Sequence, residues 1–221
     1  MKALFDLTPF TLLDFPDTPA AIFWFAGCNL RCVYCYNPDI VFGEAHIDEE
    51  EALAFLKKRT GLLEGVVLSG GECTLYSNLI PFCVQIKKLG FRIKLDTNGM
   101  RPDIIASLIA LELIDYAALD YKAPDVKMTQ ICGAGSEKRF WESFELLKGS
   151  DVAYEVRTTL HPDLLSDDEI IAMAKVLEER GYEREFYVQL FQEASATLGE
   201  LTSSSRLIDS MLLEEYVTLR R

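Results

Sequence analysis

Short apolar runs alternate with amphipathic stretches along nearly the whole chain. AAIFWF (20–25), GVVLS (65–69), FRIKLDT (91–97), DYAALDYK (115–122), VAYEVRTT (152–159) and EFYVQLFQ (185–192) are rich in β-branched and aromatic residues. Gly, Asp or Pro bounds them, and each predicts a strand. The segments between them carry apolar positions at helical spacing. DEEEALAFLKKR (48–59) opens on a capping Asp48, NLIPFCVQIKKLG (78–90) stops at Gly90, and PDIIASLIALEL (102–113) sets Pro102 in a first turn. SEKRFWESFELLKG (136–149) and SDDEIIAMAKVLEERG (166–181) both begin on Ser and end on Gly, and a last helix is predicted over about 203–220. Strands that alternate with helices pair in parallel through right-handed crossovers, so the pattern predicts an α/β fold. The sheet either closes toward a barrel or opens as a doubly wound one, and in both the chemistry gathers at the C-terminal strand ends.

At 221 residues with 49% apolar and 26% charged positions, the chain reads as one globular domain over 1–221 with its core at about 18–192. A net charge of −13 without a Lys/Arg run predicts no nucleic-acid partner. No apolar run reaches the roughly 18 to 20 residues that cross a bilayer, which predicts no membrane span. The first 17 residues carry acids and lack a small-residue cleavage site, which predicts a cytoplasmic protein. In that compartment six cysteines point to metal or redox chemistry where they cluster and to burial where they scatter, as Cys73, Cys83 and Cys132 do.

The cluster lies in GCNLRCVYCYNP (27–38), directly after the first predicted strand, where Cys28, Cys32 and Cys35 fall within eight positions. Structural zinc prefers four ligands, and neither His46 nor His161 stands at finger spacing from a second Cys. Iron–sulfur cubanes use thiolates, generally four, so three would leave one iron open to a substrate.

Cys-x-x-x-Cys-x-aromatic-Cys, with Tyr34 as the aromatic, resembles the signature of the radical S-adenosylmethionine (SAM) enzymes. The resemblance implies a partial (β/α)6 barrel of parallel strands. It also implies a 4Fe–4S cluster on Cys28, Cys32 and Cys35, with SAM on the fourth iron. One electron from the cluster then cleaves SAM to methionine and a 5′-deoxyadenosyl radical, which takes a hydrogen atom.

Further motifs fall at strand ends. Two glycines let backbone approach a ligand closely, and an acid beside them accepts from an ammonium; a plain turn is the bland reading of such a pair. Ser69–Glu72 (SGGE) resembles the family's methionine-binding element, which puts Gly70, Gly71 and Glu72 at the cofactor. Cys73 stands where that family often has Pro, and is expected to be buried. Asp96, Thr97 and Asn98 in LDTNG, and Asp120 and Lys122 in LDYK, resemble elements of the glycyl-radical-enzyme activases. With them the resemblance implies a monovalent-cation site at Asp96, Thr97 and Asp120. Arg157, inside an apolar strand, needs an anionic partner. That partner is either an acid such as Glu155 or, at the mouth, the carboxylate of SAM or the substrate. The sixth strand carries Gln189 and Gln192, with Gln192 placed at the cofactor and the purine contact on that strand left open.

LLDFPDTPAAIFWFAGCNLRCVYCYNPD, with Tyr36 where such activases often have His, is the most specific portion. It resembles activating proteins of the anaerobic ribonucleotide reductase and pyruvate formate-lyase type, and puts Tyr36 at the cofactor. That implies a glycyl radical enzyme as protein substrate and flavodoxin or ferredoxin as electron donor. A radical SAM enzyme acting on a metabolite, such as 7-carboxy-7-deazaguanine synthase, is the nearer alternative. A non-catalytic iron–sulfur or zinc module is the more distant one.

Overall fold

The computed structural model describes residues 2–192, 196–204 and 206–220. In chain order the elements are β1 (Lys2–Thr11), β2 (Ala20–Phe25), α1 (Pro38–Phe42), β3 (Ile47–Asp48), α2 (Glu49–Lys57), β4 (Gly65–Gly70), α3 (Leu79–Lys88), β5 (Arg92–Thr97), α4 (Pro102–Ala110), β6 (Tyr116–Asp120), α5 (Asp125–Cys132), α6 (Glu137–Lys148), β7 (Ala153–Leu160), α7 (Asp167–Glu179), β8 (Phe186–Leu190), α8 (Ser210–Leu213) and β9 (Thr218–Arg220). The capping chemistry acts where the sequence puts it. Asp48 accepts from Glu51 N, Ser136 from Arg139 N, and Ser166 closes a full capping box with Glu169.

All strands join one sheet in the order β3-β1-β2-β4-β5-β6-β7-β8-β9. From β2 to β9 every pairing is parallel, while β1 runs antiparallel to both β2 and β3. The parallel strands follow chain order without reversal, so each crossover steps in the same direction. That is the winding of a barrel; a doubly wound sheet reverses at its switch point. The barrel is partial, because β3 and β9 end the sheet without pairing to each other.

Two apolar layers result. The larger lies between sheet and helices and is built from alternate strand residues such as Phe23, Leu68, Leu95 and Val156 against Phe82, Ile105 and Phe144. The smaller fills the barrel floor, where Phe15 packs on Ala20, Ile22 and Val67. Arg92 stacks 4.8 Å over the Phe15 ring and donates to Thr18 Oγ1 at 2.7 Å, sealing that end. Among the described residues no helix is long and apolar enough to cross a membrane.

The helix predicted over about 203–220 is not there. Its segment forms only the short α8, then turns into β9, which pairs with Tyr187–Gln189 of β8. Non-local contacts override the local helical pattern. Val217 is buried, and Arg220 makes an ion pair with Glu155 (2.9 Å) and stacks 3.3 Å over Tyr187. β1 carries no clean alternation and was not legible as a strand; it is held by its antiparallel ladder.

Candidate active site

The cysteine loop leaves β2 and is seated on the turn after β4. Gly71 N donates to Phe25 O and Glu72 N to Gly27 O, both at 2.9 Å. A Cβ on Gly71 would stand 1.9 Å from Gly27 O, and one on Gly70, at φ +113°, 2.4 Å from Phe25 N. The glycine pair is therefore required by backbone packing against the cysteine loop, a reason distinct from the ligand approach the sequence suggested. On the loop's other side, Arg31 N donates to Cys132 O (2.8 Å), Val33 N to Ile131 O (2.9 Å), Gly199 N to Val33 O (2.8 Å) and Leu198 N to Cys35 O (2.9 Å). No sequence signal marked residues 198–199 as part of this clamp.

One cavity at the C-terminal strand ends takes in the three thiols and every residue placed at the cofactor from the sequence except Gln192. All six cysteines are free thiols. Burial pushes Cys28 up to about 11 and raises Cys35. Cys132 is the largest influence on Cys32 and lowers it, against burial, to about 7. Leu30 N donates to Cys28 Sγ at 3.4 Å. Three thiols that share a cavity, with a backbone N–H already on the sulfur of Cys28, suit thiolate ligation of a cluster. Among the described residues no three Cys, His, Asp or Glu side chains converge on one ion position, the arrangement a single structural zinc requires.

Glu72 is 2% exposed. Its Oε1 accepts from Thr74 N (3.2 Å), Thr74 Oγ1 and Thr97 Oγ1 (2.8 Å), whereas Oε2 accepts only from Asn98 N (2.8 Å). One acceptor site on Oε2 is left over, which suits an ammonium. Burial raises its carboxyl more than these donors lower it.

Beside it lies a charged network. Arg157 Nε meets Asp120 Oδ1 at 2.6 Å and its terminal nitrogen meets Asp96 Oδ2 at 3.2 Å; Lys94 holds Asp96 (2.8 Å) and Lys122 holds Asp120 (2.9 Å). Burial alone would raise Asp120, but Arg157 and Lys122 outweigh it and hold the carboxyl at about 2. Burial opposes Asp96 too, and Arg157 with Lys94 lowers it. Three cations on two carboxylates leave one positive charge for an anion. Each aspartate meets two cationic side chains, and Thr97 gives its hydroxyl to Glu72. Arg157 thus pairs with Asp120 and Asp96, while Glu155 takes Arg220.

Lys94, 3% exposed, was missed in the sequence, although its place two residues before Asp96 puts both on one strand face. Gln192 is exposed and gives only its backbone N–H to Tyr36 Oη (2.6 Å), while Gln189 lines the cavity opposite Thr159. Strand β8 ends at Leu190, so Gln192 lies past the strand and outside the cavity lining, held to it through Tyr36. Tyr34 is buried, with its hydroxyl 3.5 Å from Lys122 O, and Tyr36 stacks on Phe191 at 5.5 Å. Cys73 is buried against Leu68 O (3.6 Å) and Asp96 O (3.4 Å), and takes no place in the cavity.

Residues 22–177 match the family model described as the Radical SAM superfamily. A Methanocaldococcus jannaschii protein assigned as a glycyl-radical enzyme activating enzyme is 30% identical over 190 residues, 81% of this chain and 77% of that protein. The pyruvate formate-lyase 1-activating enzyme of Escherichia coli K12 is 30% identical over 159 residues, and the match takes in 67% of this chain and 63% of that enzyme. The chain thus spans less than two thirds of the E. coli enzyme's length. Among solved structures, Streptococcus suis SuiB bound to precursor peptide SuiA aligns at TM-score 0.68 and 17% identity, over 88% of this chain and 44% of that one. The protein anSMEcpe with bound AdoMet aligns at 0.59 and 18% identity, over 76% and 49% of the two chains. At those identities the likeness is one of fold.

Proposed function

The chain belongs to the radical SAM superfamily, and from that premise we propose that it activates a glycyl radical enzyme by removing a hydrogen atom from a glycine of that partner. The family implies a 4Fe–4S cluster and SAM. The observation that carries the finer reading is the convergence of the three thiols, Glu72 and the Asp96–Arg157–Asp120–Lys122 network on a single strand-end cavity.

In this reading Cys28, Cys32 and Cys35 hold the cluster. When bound, cluster and SAM together supply the electron transfer and the hydrogen-abstracting radical. The protein's own part is placement. Glu72 Oε2 accepts from the amino group of SAM, and Arg157 with Lys122 faces its carboxylate, so the site matches a zwitterionic amino acid end to end. An ammonium at Glu72 also reverses the cost of burying that carboxylate. Gly70 and Gly71 keep the cysteine loop pressed on the turn that carries Glu72, which fixes the distance between the two halves of the site. Tyr34 and Trp24 line the wall and exclude water. A flavodoxin or ferredoxin supplies the electron. The activase names of the relatives support a protein substrate.

The test is anaerobic reconstitution with iron and sulfide, reduction in the presence of SAM, and assay for 5′-deoxyadenosine with about four irons per chain. Addition of a glycyl radical enzyme from the same source should then give a stable glycyl radical by electron paramagnetic resonance (EPR). SAM cleavage with turnover of a small metabolite and no glycyl radical would replace the activase reading with a metabolite-directed one. A full cluster without SAM cleavage would remove both.

A further inference from the structure

One charge of the buried network lies outside the cavity. Lys94 and Asp96 stand two residues apart on β5, on the face opposite the helix-packed Ile93 and Leu95. Lys94 is buried beside Val67 of β4 and Tyr116 of β6, beneath the cavity and not in its wall. Its ammonium lies 2.8 Å from Asp96 Oδ1 and 6.0 Å from the centre of the Tyr116 ring. The contact is an ion pair without hydrogen-bond alignment, and Asp96 Oδ1 has no other partner among the described residues. Asp96 Oδ2 accepts from Ser69 Oγ at 3.2 Å and meets an Arg157 terminal nitrogen, also at 3.2 Å. Arg157 is held closer to Asp120, at 2.6 Å through Nε. Its other terminal nitrogen bonds nothing among the described residues, and the side chain lines the cavity.

We propose that Lys94 is a positioning residue that satisfies Asp96 from beneath the cavity, and so leaves Arg157 and Lys122 with the surplus charge that selects a ligand carboxylate. The inference rests on the reading that this end of the cavity meets the carboxylate of SAM. With Lys94 in place, three cations stand on two carboxylates, and Arg157 need not serve Asp96 alone. Without it, two cations face two carboxylates and no positive charge is left over. Asp96 Oδ1 would then be a buried acceptor with no partner, a costly state that draws the guanidinium away from the ligand side. Glu72 and the three cysteines contribute the same charge in every Lys94 variant, so the comparison isolates this end of the site.

The experiment is equilibrium dialysis of the reconstituted, oxidised protein against SAM and against S-adenosylmethioninamine, the same molecule without its carboxylate. The readout is the ratio of the two affinities, which a loss of fold alone does not move. In Lys94→Met the ratio should fall by about tenfold, the effect of one unit charge close to the site, with the loss on the SAM side and iron content unchanged. Lys94→Met combined with Asp96→Asn leaves two cations on one carboxylate, which restores the surplus, and its ratio should return to within about threefold of wild type. A wild-type ratio in Lys94→Met would overturn the proposal. So would an equal loss of both ligands, because Lys94 would then serve the fold only. If Lys94→Met does not fold, Asp96→Asn alone decides the matter. Three cations on one carboxylate should raise the ratio by about threefold or more, and an unchanged or lower ratio overturns the proposal. A wild type that binds both ligands equally is a different result, and refutes the reading that Arg157 and Lys122 meet the carboxylate.

Discussion

Replacement of Arg157 by Met keeps most of the buried stem and removes the fork that bridges Asp120 and Asp96. At an effective dielectric near 20, two charge pairs with charge centres about 4 Å apart attract by about 8 kcal/mol in all. Desolvation of the guanidinium and repulsion from Lys94 and Lys122 take back more than half of that. Loss of one partner from a buried ion pair costs about 3 to 5 kcal/mol. Each aspartate keeps a lysine here, so the lower end, about 3 kcal/mol, is expected for Arg157→Met. Urea unfolding at pH 7 measures it, as a lower midpoint at unchanged m. Acid adds a second readout. Asp120 is depressed from 3.8 to about 2, so the stability it contributes is present above pH 3.8 and lost as pH falls toward 2. A shift of that size is worth about 2 kcal/mol. In Arg157→Met the largest lowering influence is gone, and the acid-dependent part should shrink. Arg157→Lys should recover less than half of the loss, since one ammonium cannot span both carboxylates. A change under about 1 kcal/mol with an unaltered acid profile would refute the network as a structural element.

The other predictions concern the loop and its neighbours. Gly71→Ala drives a Cβ to 1.9 Å from the backbone oxygen of Gly27, which cannot rotate away, and should cost about 3 kcal/mol in thermal unfolding together with most of the bound iron. Gly90→Ala, strained at φ +88° but meeting nothing within 4 Å, is the control and should cost about 1 to 2 kcal/mol with iron retained. Cys28→Ala, Cys32→Ala and Cys35→Ala should each abolish cluster assembly by iron assay. Cys83→Ala, buried in α3, should lose about 1 kcal/mol and no iron. Glu72→Gln should weaken SAM binding by about tenfold or more in equilibrium dialysis, the worth of a charge-assisted bond, at unchanged iron content.

The six central strands were legible because strands covered on both faces read as continuous β-branched runs with turn residues between them. The edges were not. β1 is partly exposed and interrupted by Pro9, and β9 exists only through its pairing with β8, a contact no local window contains. The same division holds in the site. Cys28, Cys32 and Cys35 announce themselves because their spacing lies within one loop, and the strand-end acids follow from the barrel rule. Their partners do not, because pairing depends on register. Asp120 lies directly opposite Arg157 across β6 and β7, and Gln189 opposite Thr159 across β7 and β8. Cys132 read as a scattered buried thiol because it is about a hundred residues from Cys32 in sequence, and only the end of α5 brings it there.

Charge does different things at the two scales of this molecule. The net −13 is spread over the chain, with acids gathered at helix starts such as Glu49–Glu51 and Asp167–Glu169, where they complement the helix dipoles. Over distances up to the Debye length, about 8 Å at physiological salt, such a surface attracts a ligand of net positive charge and repels a phosphate-rich one. SAM, with a sulfonium, an ammonium and a carboxylate, is of the attracted kind. At contact distance the order is reversed for one end of it. In the proposed reading Arg157 and Lys122, on Asp96 and Asp120, would present a positive face to the carboxylate, and Glu72 a negative one to the ammonium. A ligand with only one of these charges meets an unmatched buried partner, whose cost exceeds any gain from steering. Selection therefore sits in the paired interior, and the acidic exterior governs the rate of approach. A rise in salt should slow SAM association while leaving its contacts intact.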